Sequence, residues 1–363
     1  MIVGIVPTAI DGSFTFMIGL IRKHVQKVEN LRSQSNQRSE TKEGESRDLF
    51  VYVDGKMLAR KDASVSVWDN GLLYGDGVFE GIRSYDGVVF KLKEHLDRLY
   101  ESAHYIRLRI PLTKAQMSEA VLQTLRKNKL SNAYIRLVVT RGRGDLGLNP
   151  MNCSNPSVII ITEPTKAGED LMSKPIGISA IISSVRRDPV DATSHEVKSL
   201  NYLNSILARW EAIDAGAGEA KMLDTHGFVS EASADNIFIV TKGQIATPST
   251  DSAILHGVTR LRIIQMAEDL GYMVSERRIS PFDLISAEEV FMTGTLAEIV
   301  PVLKVNGRSI GIGQVGPVTS RILAEFKKVR CRPSEGTVIY PSDRGEADPM
   351  SRPIVDLGAN SER

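Results

Sequence analysis

Between Glu231 and Arg260 the chain sets a carboxylate, an amide and a Gly-Val-Thr-Arg step at spacings that no backbone element requires. Glu231 opens Glu-Ala-Ser-Ala-Asp-Asn-Ile-Phe, and a strand over 238–241 follows. Lys242-Gly243 then turns the chain, and Ile245-Ala246-Thr247 leads to Leu255-His256-Gly257-Val258-Thr259-Arg260. Val258, Leu261, Ile264, Met266, Ala267 and Leu270 recur on one apolar face with Gly271 as a stop, so a helix starts at Val258. The first turn of a helix offers N–H groups without intrahelical partners and a partial positive charge. The Val258 and Thr259 amides, with the Thr259 hydroxyl, therefore suit a phosphate dianion. Taken alone, these residues are explained as simply by ordinary N-capping.

The whole Glu231–Arg260 pattern resembles the signature of the class IV aminotransferases, the family of branched-chain and D-amino acid transaminases. The likeness runs from about Val51 to Tyr340. It includes Tyr-Gly-Asp-Gly-Val-Phe-Glu-Gly-Ile-Arg, His-Leu-Asp-Arg-Leu, Tyr-Ile-Arg, Lys-Ser-Leu-Asn-Tyr and Met-Thr-Gly-Thr-Leu-Ala-Glu, all in family order. The resemblance implies a mixed α/β (α+β) chain of fold type IV, D-amino acid aminotransferase-like, with pyridoxal 5′-phosphate in a cleft between two domains.

It also implies roles for particular residues. Lys198 is the lysine that bonds to the cofactor aldehyde and moves protons; chemically, an amine must lose its proton to attack a carbonyl, and desolvation favours that loss. Among 45 basic residues a solvated lysine is the commoner case, so the motif carries this assignment. Glu231 would keep the pyridine nitrogen protonated, strengthening the ring as an electron acceptor; on spacing alone it is a glutamate after the turn Thr225-His226-Gly227. Arg98, Tyr202, Thr295 and the Gly257-Val258-Thr259 step match residues that grip the cofactor. A guanidinium suits phosphate through two parallel hydrogen bonds, although Arg98 could equally pair with Glu94 or Glu101 along its helix.

The resemblance assigns the substrate pocket to Tyr74, Phe79, Tyr134, Arg136, Leu148, Leu296 and Ala297. Tyr134 and the amides of 295–297 would hold the α-carboxylate, leaving Arg136 for the side-chain carboxylate of glutamate. The implied activity is transfer between L-leucine, L-isoleucine or L-valine and 2-oxoglutarate. Two departures bear on substrate. The segment Glu163–Asp170 lacks the aromatic residues many branched-chain enzymes carry there, and Lys-Ser-Leu-Asn is similar to D-amino acid transaminases. A D-amino acid transaminase and an aminodeoxychorismate lyase, which releases pyruvate without a keto acid acceptor, are the alternatives.

Composition bounds the rest. With 363 residues, 42% apolar content and 45 basic against 44 acidic side chains, the chain reads as a two-domain globular enzyme without a nucleic-acid or membrane partner. The resemblance, not composition, implies small amino acids and 2-oxo acids as partners and a homodimer or larger homo-oligomer. Cys153 and Cys331 supply neither a disulfide framework nor a metal site, which fits a cytoplasmic location. Two Gly-x-Gly-x-x-Gly matches, 142–147 and 311–316, lack the βαβ context of dinucleotide binders, and Arg143-Gly144-Asp145 reads as a loop coincidence.

To bring these residues together, the chain is expected to form strands over 50–53, 78–84, 88–91, 133–140 and 157–162 with helices over 93–106 and 113–128. Beyond 176, a helix follows Lys198 from Leu200, then come strands through Thr247, the 258–270 helix, strands over 273–277 and 289–293, and a helix over 318–329. Domain boundaries follow: a polar leader at 1–47, a small α/β domain at 48–163, an interdomain loop at 164–172, a larger cofactor-binding domain at 173–340 and an irregular tail at 341–363. The apolar run Phe14–Ile21 is too short to span a bilayer.

Overall fold

Alternation along Ala133–Thr140 sets the geometry of the first half: Ile135, Leu137 and Val139 are fully buried on one face, while Tyr134, Arg136 and Val138 are half-buried on the other. The computed structural model describes residues 49–165 and 177–341. The expected leader, the Phe14–Ile21 run, residues 166–172 of the interdomain loop and nearly all of the tail lie outside them.

The first sheet has seven strands in the order β16-β4-β3-β5-β6-β1-β2. These are β1 (Phe50–Val53), β2 (Lys56–Ala59), β3 (Gly77–Tyr85), β4 (Val88–Phe90), β5 (Ala133–Thr140), β6 (Ser157–Pro164) and β16 (Gly336–Val338). A short helix α1 (Asn70–Tyr74) precedes β3, and α2 (Leu92–Tyr105) and α3 (Lys114–Lys127) cover the core face. The Thr113–Gln116 capping box starts α3 by satisfying orphan amides in both directions. Leu99 and Met117, both fully buried, interlock the helices with Ile82 and Leu137; truncating Leu99 to Ala would cost about 2–5 kcal/mol. β16 returns from the far end of the chain to pair with β4, closing an edge that would otherwise be bare.

The second sheet has nine strands, β12-β11-β10-β13-β14-β7-β8-β9, with β15 paired to β14. They are β7 (Ile178–Arg186), β8 (Glu219–Leu223), β9 (Val229–Ala232), β10 (Asn236–Thr241), β11 (Gln244–Thr247), β12 (Val274–Glu276), β13 (Glu289–Gly294), β14 (Glu298–Val305) and β15 (Arg308–Ser309). Four helices attend it: α4 (Leu203–Asp214), α5 (Val258–Asp269), α6 (Pro281–Ser286) and α7 (Pro317–Val329). Phe238 and Phe291 stack at 4.9 Å and join Phe326, which meets Phe90 of the first sheet edge-on at 5.6 Å. One apolar cluster thus fastens the two sheets.

Two expectations are corrected. In α5, Leu261 is 53% exposed, and Ile263 with Arg260 takes the buried face; the helix turns its polar Arg260 inward because Glu276 and the Pro248 carbonyl satisfy it. The helix after Lys198 starts at Leu203, not Leu200, because residues 198–201 are spent on contacts with the first sheet. Among the described residues no helix is long and apolar enough to cross a membrane, and none group as a His/Cys/Asp/Glu metal site.

Candidate active site

Lys198 reaches the site on an extended segment laid against the start of β3. The Phe79 amide donates to the Lys198 carbonyl at 3.0 Å, the Leu200 amide to Gly77 O at 3.0 Å, and the Lys198 amide to Ser102 Oγ of α2 at 3.1 Å. Asn201 Nδ2 adds a bond to Gly75 O. With the backbone anchored on both sides, Nζ sits 3.1 Å from the Tyr202 hydroxyl and 4.7 Å over the Phe79 ring. Tyr202 itself occupies the cap position of α4 and meets Phe79 edge-on at 5.1 Å.

Glu231 ends up 5% exposed on β9. One carboxylate oxygen accepts from Asn236 Nδ2 and from the Leu255 amide, each at 3.0 Å; the other lies 3.2 Å from Arg187 Nη2. Burial pushes its carboxyl above the ordinary carboxylate range, against the pull of Arg187 and the Leu255 amide. It faces a cavity lined by Tyr202, Ser205, Ser233, Asn236, Leu255 and His195. Burial, then the charge of Arg187, pushes the His195 imidazole down to about 4 although Asp188 Oδ2 lies 3.1 Å from Nε2.

The start of α5 lies beside this cavity. Its cap is Gly257, which has no side chain to bond the first amides, so these donors are left for a ligand. A Cβ on Gly257 would come 2.0 Å from Asn236 Oδ1, so only glycine lets Asn236 bridge Glu231 and the Leu255 carbonyl. Arg98 Nη1 donates to the His256 carbonyl at 2.9 Å, tying α2 to this turn. The rest of its guanidinium is used elsewhere: Nε and Nη2 pair with both oxygens of Glu80 at 2.7 and 2.8 Å, and neither Glu94 nor Glu101 is its partner. Glu80 is fully buried and also holds His95 Nδ1 at 2.8 Å. Burial alone would raise its carboxyl, but Arg98 and His95 hold it well below the carboxylate range.

On the cleft face of the first sheet, the Arg136 guanidinium lies 4.5 Å over Phe79 and 5.5 Å over Tyr134. Gly81 makes room there, since a Cβ would sit 2.5 Å from the Tyr134 hydroxyl. Burial raises the Tyr134 phenol, so it stays a donor at neutral pH. Thr295, Leu296 and Ala297 form the turn from β13 to β14. Tyr74 and Leu148 stand apart from the Lys198 cluster as a pair: the Tyr74 hydroxyl accepts from the Gly147 amide at 2.8 Å, and Leu148 is 82% exposed. Sequence reasoning missed Glu80, His95, Ser102 and Arg187. The first three do carry a signal, a polar residue at a core position of β3 and polar residues at 95, 98 and 102 on the buried stripe of α2.

Comparisons with known proteins identify the family and the fold. A family model described as amino-transferase class IV matches residues 77–305. A putative branched-chain-amino-acid aminotransferase of Methanocaldococcus jannaschii is 54% identical over 286 residues, covering 78% of this chain and 97% of that protein. The solved branched-chain amino acid aminotransferase of Escherichia coli superposes with a TM-score of 0.75 at 38% identity, over 78% of this chain and 95% of that one. That of Thermobaculum terrenum, solved in its holo form with pyridoxal phosphate, gives 0.72 at 27%, over 79% and 95%. The chain belongs to the class IV aminotransferase family and has its fold type IV architecture. It is a pyridoxal 5′-phosphate-dependent aminotransferase.

The residues present fit that cofactor. A buried carboxylate faces the cavity where a ring nitrogen needs an anion, an uncapped helix start offers amides to a phosphate, and Lys198 Nζ stands beside the Tyr202 hydroxyl.

Proposed function

We propose that this aminotransferase moves amino groups between branched-chain L-amino acids (leucine, isoleucine, valine) and 2-oxoglutarate, yielding branched-chain 2-oxo acids and L-glutamate. The observation that carries it is the wall of Phe79, Tyr134 and Tyr202 with Arg136 lying over it. Aromatic faces suit an aliphatic side chain, while one cation suits the second carboxylate of glutamate, so a single pocket serves both substrates. The names of the archaeal and bacterial relatives support the same reading.

Bound pyridoxal phosphate supplies an electron sink for the pair released when the substrate Cα loses its proton. Lys198 Nζ would hold the cofactor through its aldehyde, and as a free amine it would carry the proton from the substrate Cα to C4′ of the cofactor. Glu231 keeps a proton on the ring nitrogen, and Tyr202 donates to the ring hydroxyl. The Val258 and Thr259 amides at the Gly257 cap, with the Thr259 and Thr295 hydroxyls, take the phosphate, and Arg98, whose three guanidinium nitrogens are bonded to Glu80 and the His256 carbonyl, lends its charge from beside that turn. Tyr134 and the amides of the 295–297 turn, including Leu296 and Ala297, orient the α-carboxylate. Tyr74 and Leu148 reach the pocket of a second copy in a homodimer or larger assembly; their exposure supports this, as do the exposed Leu203, Ile206 and Trp210 of α4. The two free cysteines fit the reducing cytoplasm.

The test is a panel of L- and D-amino acids and (R)-amines with 2-oxoglutarate, following glutamate and its chirality. L-Leucine, L-isoleucine and L-valine are expected to be the best donors. D-Alanine outperforming L-leucine would assign the chain to the D-amino acid branch, and acceptor-independent pyruvate release from aminodeoxychorismate to the lyase. Lys198→Ala should lose both the visible absorbance and the borohydride-fixable attachment of the cofactor; fixation that survives would remove Lys198 from this role.

A further inference from the structure

Arg187 follows β7 directly and is 1% exposed. Its guanidinium serves the wall of the cofactor cavity. Nη2 donates to the Ala232 carbonyl at 2.6 Å and lies 3.2 Å from Glu231 Oε1, Nη1 donates to Ser205 Oγ at 2.9 Å, and Nε is buried without a partner among the described residues. The other Glu231 oxygen is held by neutral donors only, Asn236 Nδ2 and the Leu255 amide. Glu231 is thus clamped between a cation behind it and the cavity in front.

We propose that Arg187 is a positioning residue that keeps Glu231 an anion, so that the proton it shares with the cofactor ring nitrogen stays on that nitrogen. This rests on the reading of Glu231 as the ring nitrogen's partner. Taking a carboxylate out of water favours its neutral form. In a buried carboxyl–pyridine pair a neutral arrangement, with the proton on oxygen, is cheaper to hold than an ion pair. A fixed cation in contact with the carboxylate reverses that preference, because the Coulomb attraction acts at short range in a medium of low polarisability. Among the described residues Arg187 is the one cation in ion-pair contact with Glu231. Its remaining bonds, to Ser205, Ala232 and, at 3.4 Å, Asn204 Oδ1, fix where that charge stands.

The experiment compares two holoenzyme variants that separate charge from hydrogen bonding. Arg187→Gln keeps amide donors but no charge, and Arg187→Lys keeps the charge without the planar fork. With isotopically labelled pyridoxal phosphate, the ring-nitrogen NMR signal should report a protonated nitrogen in the wild type and in Arg187→Lys, and an unprotonated one in Arg187→Gln. Affinity of the apo-protein for pyridoxal phosphate should fall about tenfold or more in Arg187→Gln, whereas affinity for an analogue with carbon in place of the ring nitrogen should change by less than about twofold. An unchanged nitrogen signal in Arg187→Gln, or equal losses for both ligands, overturns the proposal. Should Arg187→Gln not fold, Arg187→Lys decides: an unprotonated nitrogen there refutes a role through charge. Glu231→Gln tests the underlying reading separately. If it alters neither the nitrogen signal nor the ratio of the two affinities, Glu231 is not the ring nitrogen's partner; if it does and Arg187→Gln is silent, only the role of Arg187 fails.

Discussion

Arg136 forms no ion pair among the described residues; its guanidinium rests on the rings of Phe79 and Tyr134. A cation held by aromatic faces keeps its N–H edges for a ligand carboxylate. Arg136→Leu should therefore slow the glutamate half-reaction about a hundredfold or more, since a ligand charge left unpaired costs several kcal/mol, while the leucine half-reaction changes by less than about fivefold. Single-turnover measurements of the two half-reactions check this, and equal losses would put Arg136 on the α-carboxylate or in the scaffold. Motif matching singled out Arg136, Lys198 and Glu231 because each stands in a run of several distinctive residues. Arg187 and Ser205 stand in no such run, and what defines them is a carboxylate far along the chain.

At the scale of elements, the seam between β3 and α2 changes what Arg98 is expected to do. Read within its own helix, Arg98 has Glu94 and Glu101 as neighbours, and a role on the phosphate predicts weaker cofactor binding with little damage to the fold. Its partner is instead Glu80, across the seam and fully out of water. Arg98→Ala leaves that carboxylate with His95 alone, so it should destabilise the protein by about 3–5 kcal/mol, read by denaturant unfolding of the apo-protein. Glu80→Gln in the same background should recover part of the loss, because an amide carries no charge to bury. Wild-type stability in Arg98→Ala, with weak cofactor binding, would assign the guanidinium to the phosphate instead. The helix over 92–105 was legible in its periodicity, as was the strand opposite it. Their pairing was not, because Glu80 looks like any polar residue until the sheet turns its side chain toward α2.

The whole molecule shows the same division between local signal and long-range arrangement. β3, β5, α3 and α7 were legible from alternation, caps and apolar stripes, whereas β7, β14 and β16 were not. β7 mixes serines with isoleucines and is held by parallel pairing to β14 and β8, and β16 is a three-residue strand completed only by β4. The buried ionisable groups are as dispersed in sequence, and their balance sets how stability depends on pH. Burial, then Arg187, drives His195 down to about 4 from an ordinary 6.5. The folded chain therefore binds fewer protons there than the unfolded chain between those values, and the contribution of His195 is fully present above 6.5 and lost as pH falls toward 4. Asp235 acts in the opposite sense. Burial, then Glu219, raises it to about 6 from 3.8, so its contribution is present below 3.8 and lost as pH rises through 6. The two slopes oppose each other over pH 4–6, so the wild-type curve should be flat there compared with either single variant. In the cofactor-free protein, where no bound group adds its own titration, the stability difference between wild type and His195→Gln should grow as pH rises from 4 to 6.5. The difference between wild type and Asp235→Asn should shrink over the same rise. Denaturant midpoints measured across that range decide it: parallel curves for His195→Gln and wild type would mean that the imidazole titrates as it does in water and is not held neutral by the Arg187 wall.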